Sequence, residues 1–328
     1  MRTRRGTARL RGWGGVGAMG LACALTGTLV LALPAHHGGR TAPADGSGTT
    51  VASPARADAD DCNDQSPRPS GKDGPTIDAI KNRPVKKLIV GVDQNSYRWG
   101  YRDPNKRGGE LEGFDIDLAR KIAEEIFGDR DAVVFRAIPT NQRIPAIEGG
   151  QVDMVVRTMT VNCARLEQVD FSTGYFETGQ QVLAPKKSDI TGYDGTLKGK
   201  RVCSAAGSIA LEELKKKSFG ADISTTVPNQ LDCLVRLQLG EVDAVVTDSA
   251  LAAGQAAQDP TVELKGEEPF TTEHYGVAMK KGADDLVRRV NKVLDDYRED
   301  GGWQKSYDKW LRGGLGEVAG PPEPEYRD

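Results

Sequence analysis

Apolar positions along this chain alternate between two rhythms. Leu88-Ile89-Val90-Gly91-Val92 is a short, nearly unbroken apolar run, as a strand buried on both faces requires. After a Gly-rich turn, Leu118, Ile122, Ala123 and Ile126 recur at helical spacing until Gly128 ends the helix. Val133 to Ala137 then reads as a strand, Ile144 to Ile147 as a helix behind Pro139, and Met154 to Val156 as another strand. Strands and helices in alternation predict an α/β fold with a parallel sheet.

The same order returns downstream: a strand over Lys200 to Cys203, a helix over Ser208 to Lys217, a strand over Ile223 to Val227, a helix over Leu231 to Leu239 and a strand over Ala244 to Thr247. An internal echo supports two similar lobes, because Gly150-Gln151-Val152-Asp153-Met154-Val155-Val156 and Gly240-Glu241-Val242-Asp243-Ala244-Val245-Val246 share G-x-V-D-x-V-V. Tyr275 to Met279 is a further strand, followed by an amphipathic helix on Leu286, Val290, Val293, Leu294 and Tyr297 and a short one from Trp303 to Leu311. The simplest topology sends the chain back to complete the first lobe. Residues 76–183 are then the first part of lobe one, 184–272 lobe two, 273–312 the return strand and lobe-one helices, and 313–328 a flexible tail. Crossings near Gln180 to Lys186 and Glu273 to Lys281 form a two-stranded hinge, with a cleft between the lobes where ligands commonly bind.

Composition changes the picture at the front end. Residues 36–75 are Gly, Ser, Thr, Pro, Ala and Asp with almost no large apolar side chain, which predicts a disordered tether and folded structure from about Thr76. Residues 1–35 carry Arg2, Arg4, Arg5, Arg9 and Arg11 as their only charges, ahead of an apolar stretch from Val16 to Leu33. This is an export signal, cleaved as a peptide or kept as a signal anchor, with a lipid on Cys23 as a further route to the membrane. It predicts a protein outside the cytoplasm, held at the outer face of the cell membrane by signal anchor or lipid. The chain of 328 residues has a formal charge of −3, and loss of those five arginines makes it more negative still, so no basic field for nucleic acid exists.

Beyond the leader four cysteines remain, Cys62, Cys163, Cys203 and Cys233, and an oxidising compartment makes two disulfides the expectation. Three pairings are open; Cys203 with Cys233 and Cys62 with Cys163 would keep each bridge local. No Cys or His spacing fits a metal, and no cofactor is expected. G-x-S-x-G, G-x-x-x-x-G-K-[ST] and H-E-x-x-H are absent, and the folded part has a single histidine, His274, read as a hinge-strand residue. An enzyme is therefore not expected.

Gly113-Phe114-Asp115-Ile116-Asp117-Leu118-Ala119-Arg120-Lys121-Ile122-Ala123-Glu124-Glu125-Ile126 resembles the signature of the family 3 extracellular solute-binding proteins, the polar amino-acid receptors of ABC importers. The likeness runs from about Lys86 to Leu311. It implies a type II periplasmic-binding-protein fold, two lobes closing on a polar L-amino acid, ABC permease membrane subunits as partners, and a monomer. Asp115 and Asp117 read as helix-start scaffold, where negative charge meets the positive helix end.

The resemblance also proposes a site. Arg165, closing the block Val156-Arg157-Thr158-Met159-Thr160-Val161-Asn162-Cys163-Ala164-Arg165, matches the arginine that holds the ligand α-carboxylate, a planar fork suited to bidentate bonds. Thr158 and Thr160 would add donors. Gly207 and Ser208, at a strand-to-helix turn, would face the same carboxylate, and Asp248 matches the aspartate that takes the α-ammonium. Arg143, in Asn141-Gln142-Arg143-Ile144-Pro145, resembles an arginine that reaches an acidic ligand side chain, and Arg157 would be a second guanidinium there. Tyr97, with Ser96 beside it, sits in the loop where relatives stack an aromatic on the ligand, while Trp99 and Tyr101 pack beneath. Glutamate is thus the first ligand expected; Asp93, near a position that is Arg in some acidic receptors, keeps glutamine and asparagine open beside aspartate. Two other readings of the fold are an amino-acid sensor that reports to a membrane partner and a dehydratase-like enzyme.

Overall fold

In the computed structural model, which describes residues 62–105 and 108–327, the apolar runs pair into two five-stranded sheets. The export segment and the tether up to residue 61 lie outside the described residues. In lobe one the order is Val133–Ala137, Leu88–Val92, Met154–Val155, Ala278–Lys280, Val169–Phe171; the first three strands are parallel and the last two run antiparallel to their neighbours. In lobe two it is Thr226–Val227, Val202–Ala205, Ala244–Asp248, Gln180–Pro185, Val262–Lys265, with the same sequence of parallel and antiparallel pairs. The strands carrying the G-x-V-D-x-V-V echo, Met154–Val155 and Ala244–Asp248, hold the third place in their respective sheets.

Local chemistry explains the elements that frame the site. The helix Phe114–Phe127 buries Phe114, Ile116, Leu118, Ile122, Ala123 and Ile126 along one side and stops at Gly128, whose φ of 71° lets its N–H return to the Glu124 carbonyl. Gly113 enters that helix at φ 136°, where a Cβ would collide with the Trp99 carbonyl. The helix Asp284–Glu299 buries Leu286, Val287, Val290, Val293, Leu294 and Tyr297. Each such side chain contributes about 1.5–3 kcal/mol. Trp99, Phe114, Phe176, Tyr275, Trp303 and Tyr307 form a connected aromatic cluster in lobe one. Lobe two has cores of its own on both faces of its sheet.

Four expectations are corrected. The hinge pair is Phe176–Thr178 with Glu273–Tyr275, antiparallel, while Gln180–Pro185 is already a strand inside lobe two. The run Tyr275 to Met279 is broken at Gly276, where any Cβ would meet Val161 Cγ2 at 2.7 Å. The tether does not extend to residue 75: Cys62 is bridged to Cys163, Ser66–Pro67 is a strand, and the helix Pro75–Asn82 buries Ile77 and Ile80 against lobe one. Nor is 313–328 a free tail, because Tyr326–Arg327 pairs in parallel with Ser66–Pro67. Asn291 holds this junction, donating to Ser66 Oγ at 2.7 Å and to the Pro67 carbonyl at 2.6 Å. The second bridge joins Cys203 to Cys233.

Candidate functional site

Lobe one brings three guanidiniums to the cleft through local geometry. The helix Arg143–Glu148 begins with Arg143, the strand Met154–Val155 runs out into Arg157, and the helix Cys163–Leu166 carries Arg165 with its N–H capped by Asn162 Oδ1 at 2.9 Å. Their surroundings differ. Arg157 is fully buried and ion-paired to Asp93 at 2.8 Å, with Nη1 on Thr140 Oγ1 and Nη2 also on Asn229 Oδ1. Arg143 donates to the carbonyls of Thr140, Arg157 and Thr158 and, across the cleft, to that of Gly207 at 3.3 Å. Arg165 donates to the Thr160 carbonyl at 2.7 Å and to the same Gly207 carbonyl at 3.2 Å. Among the described residues neither Arg143 nor Arg165 has an ion-pair partner. Burial, joined by the neighbouring arginines, holds Arg143 well below its ordinary basicity, and burial lowers Arg165 as well.

Opposite them lies a pair of buried acids. Gln180 Nε2 donates to Asp248 Oδ1 at 2.5 Å and to Glu273 Oε2 at 3.1 Å, and the hydroxyls of Thr160 and Thr271 donate to Glu273 at 2.7 Å each. Burial, with the Glu273 charge next in weight, pushes the Asp248 carboxyl up to about 7. Among the described residues Gln180 Oε1 is buried with no hydrogen-bond partner. Below this pair, Asp115 accepts from the Tyr175 hydroxyl at 2.9 Å and from the Thr158 N–H at 3.1 Å, fixing Thr158 at φ 38°. Burial raises Asp115 to about 7 too. Cations on one side and acids on the other complement a molecule carrying both an anionic and a cationic group.

The lobes meet across this site, with Thr140 N–H on the Pro228 carbonyl and Arg157 on Asn229. A groove of about 500 Å³ leads outward from Thr160 and Glu273, lined by Asp64, Glu212, Glu213 and Glu323.

Comparison with known proteins decides the family. The sequence profile of the bacterial extracellular solute-binding proteins, family 3, matches residues 88–313. The chain belongs to that family. This solute-binding protein is 35% identical over 250 residues to the ABC transporter glutamine-binding protein GlnH of Bacillus subtilis, covering 76% of this chain and 89% of that one. It is 30% identical over 246 residues to the glutamate-binding protein GluB of Corynebacterium glutamicum, covering 72% and 81%. In structure it resembles the solute receptor for L-cysteine of Neisseria gonorrhoeae, with a TM-score of 0.70, 27% identity and coverage of 76% of this chain and 100% of that one.

Against this solute-binding protein's geometry the expected site residues divide. Arg143, Arg165, Thr160, Gly207 and Asp248 surround the cleft. Arg157 touches the opposite lobe through Asn229, but its charge is already paired with Asp93. Ser96 also belongs to that pair, donating to Asp93 Oδ2 at 2.9 Å. Ser208 caps the helix Ile209–Lys216 and donates to the Ala205 carbonyl, so its hydroxyl is engaged locally. Gly207 contributes its carbonyl where backbone donors were expected. Thr158 acts through its backbone. Tyr97 makes an edge contact with Tyr101 at 5.2 Å and lies under Arg98. Trp99 packs as expected in the core, donating to the Ala250 carbonyl at 3.4 Å. Glu273 and Gln180 escaped the sequence reading; the one available signal was a carboxylate and an amide at the ends of otherwise apolar hinge runs.

Proposed function

We propose that this chain is the receptor component of an amino-acid ABC importer and that it closes on L-glutamate, with aspartate, glutamine and asparagine as weaker relatives. The protein acts as a monomer held at the outer membrane face by its leader, and its work is binding, not turnover. The observation carrying the ligand choice is that Arg143 and Arg165 are buried together and, among the described residues, neither is in salt-bridge contact with a carboxylate. Moving one cation from water into such a site is costly, and two are costlier; an incoming anion with two carboxylates relieves both. In this arrangement Arg165 takes the α-carboxylate, Arg143 the side-chain carboxylate, and Asp248 with Glu273 the α-ammonium. A neutral glutamine amide would leave Arg143 without a counter-charge. Relatives named for glutamine and for glutamate binding agree with this ligand class.

Isothermal titration of the exported chain, disulfides intact, against the four amino acids tests the reading. L-glutamate should bind most tightly, and Arg165→Ala should weaken it about 30-fold or more, as loss of one partner of a buried charge pair does. Absence of binding to all four would overturn it.

A further inference from the structure

Arg165 sits on a helix of four residues, Cys163–Leu166, too short to hold its own shape, since a single turn does not repay the cost of nucleation. Its non-covalent fixings are modest: Asn162 caps the Arg165 N–H, Gln168 Nε2 donates to the Ala164 carbonyl at 3.1 Å, Lys281 Nζ donates to the Leu166 carbonyl at 2.6 Å, and Leu166 packs, only partly buried, against a core cluster. The covalent one comes from far away in sequence. Cys163, two residues before Arg165, is bridged to Cys62, 101 positions earlier and outside the family-matching region.

The segment behind Cys62 is firmly seated. Ser66 N–H donates to the Glu325 carbonyl at 3.1 Å, Ser66 Oγ to the Phe171 carbonyl at 2.8 Å, and Asn291 grips Ser66 and Pro67. Phe171 ends the strand Val169–Phe171, which directly follows the Arg165 helix. One short stretch of chain therefore clamps the helix from both sides, through the disulfide at Cys163 and through Ser66 at Phe171. The clamp has an evident consequence at the cleft, because Arg165 reaches the Gly207 carbonyl of the opposite lobe.

We propose that the Cys62–Cys163 disulfide is a positioning element for Arg165, so that ligand affinity depends on a bond supplied by the N-terminal segment. The inference rests on Arg165 being the carboxylate anchor. Its test uses the exported chain with Cys62→Ser and Cys163→Ser together, titrated with L-glutamate while hydrogen exchange is followed along the chain. The expected result is a folded protein that binds about tenfold or more weakly, with faster exchange confined to residues 160–168. An affinity within about twofold of the parent overturns the proposal. So does faster exchange spread through all of lobe one, which would make the bridge a general brace.

Should the serine variant fail to fold, the native protein gives a second measurement. Cys62 is exposed whereas Cys203 and Cys233 are 0% exposed, so a dithiol under native conditions opens the first bridge selectively, itself becoming oxidised as two thiols form. Faster glutamate release after this treatment supports the proposal, and an unchanged rate overturns it. If the untreated parent binds no amino acid, the proposed function fails instead, a result distinguishable from either.

Discussion

Asp248 and Glu273 lie in a space where two full negative charges repel each other and are poorly solvated, and this sets how the site responds to pH. Burial together with Glu273 raises Asp248 to about 7. An arriving ammonium favours the charged form, so below about pH 7 binding must first expel a proton, and above it no proton need leave. Affinity for L-glutamate should therefore fall as pH drops from 8 to 5.5, approaching tenfold per unit at the acid end. Titration at pH 6 in two buffers of different ionisation enthalpy should register that released proton, and Asp248→Asn should remove the release. A pH-independent affinity in the parent would show that Asp248 does not meet the ammonium. Arg157 shows the opposite economy of charge: its partner Asp93 also accepts from Ser96 Oγ and from the N–H groups of Gln94 and Asn95, so its charge is balanced without a ligand.

The turn from the strand Val202–Ala205 into the helix Ile209–Lys216 decides how the lobes meet. Gly207 adopts φ 76°, and a Cβ there would lie 3.0 Å from Asn141 Cα in the other lobe, with Asn141 Cβ at 3.1 Å. Any side chain pays about 1 kcal/mol for that backbone conformation, and backbone across the cleft cannot swing aside as a long side chain could. Gly207→Ala should lower the melting midpoint by only about 2–4 °C in a chain of this size. Its larger effect falls on closure, with L-glutamate bound at least about tenfold more weakly by titration calorimetry. Equal affinity in parent and variant would mean that Gly207 is not at the closing surface. The hinge behaves consistently with such closure, since its two strands, Phe176–Thr178 and Glu273–Tyr275, put Glu273 at the point where the lobes join.

At the scale of the molecule, each disulfide secures a different lobe, and the large core of lobe one also takes in Ala250 and Leu251 of lobe two. Cys203–Cys233 ties a central strand of lobe two to the helix Gln230–Gln238, closing a loop of 30 residues. Constraint of the unfolded chain by such a loop is worth about 3.6 kcal/mol. Replacing both cysteines by serine should cost about that much in denaturant unfolding, and the loss should appear in the transition of lobe two. An unchanged midpoint would show that packing alone holds this lobe. The termini add a second level of construction: Ser66–Pro67 pairs with Tyr326–Arg327, joining the two ends of the described chain on lobe one.

The apolar rhythm by itself determined most of the architecture. A buried strand must be apolar along its length and a surface helix must be apolar on one side, so Leu88–Val92 and the two G-x-V-D-x-V-V strands were legible from neighbours in sequence alone. The signature from Gly113 to Ile126 pointed to the family. What tertiary structure decided was the use of each charge. Arg143, Arg157 and Arg165 fall within one short stretch and look alike in composition, yet one is neutralised by Asp93 and two face the cleft, because a partner is chosen by folding across distances that periodicity does not sense. The pairing of Glu273 with Asp248, and the seating of Cys62 beside Arg165, have the same origin: burial pattern is a local property of the chain, whereas electrostatic and covalent partnership belongs to the folded surface that brings distant segments together.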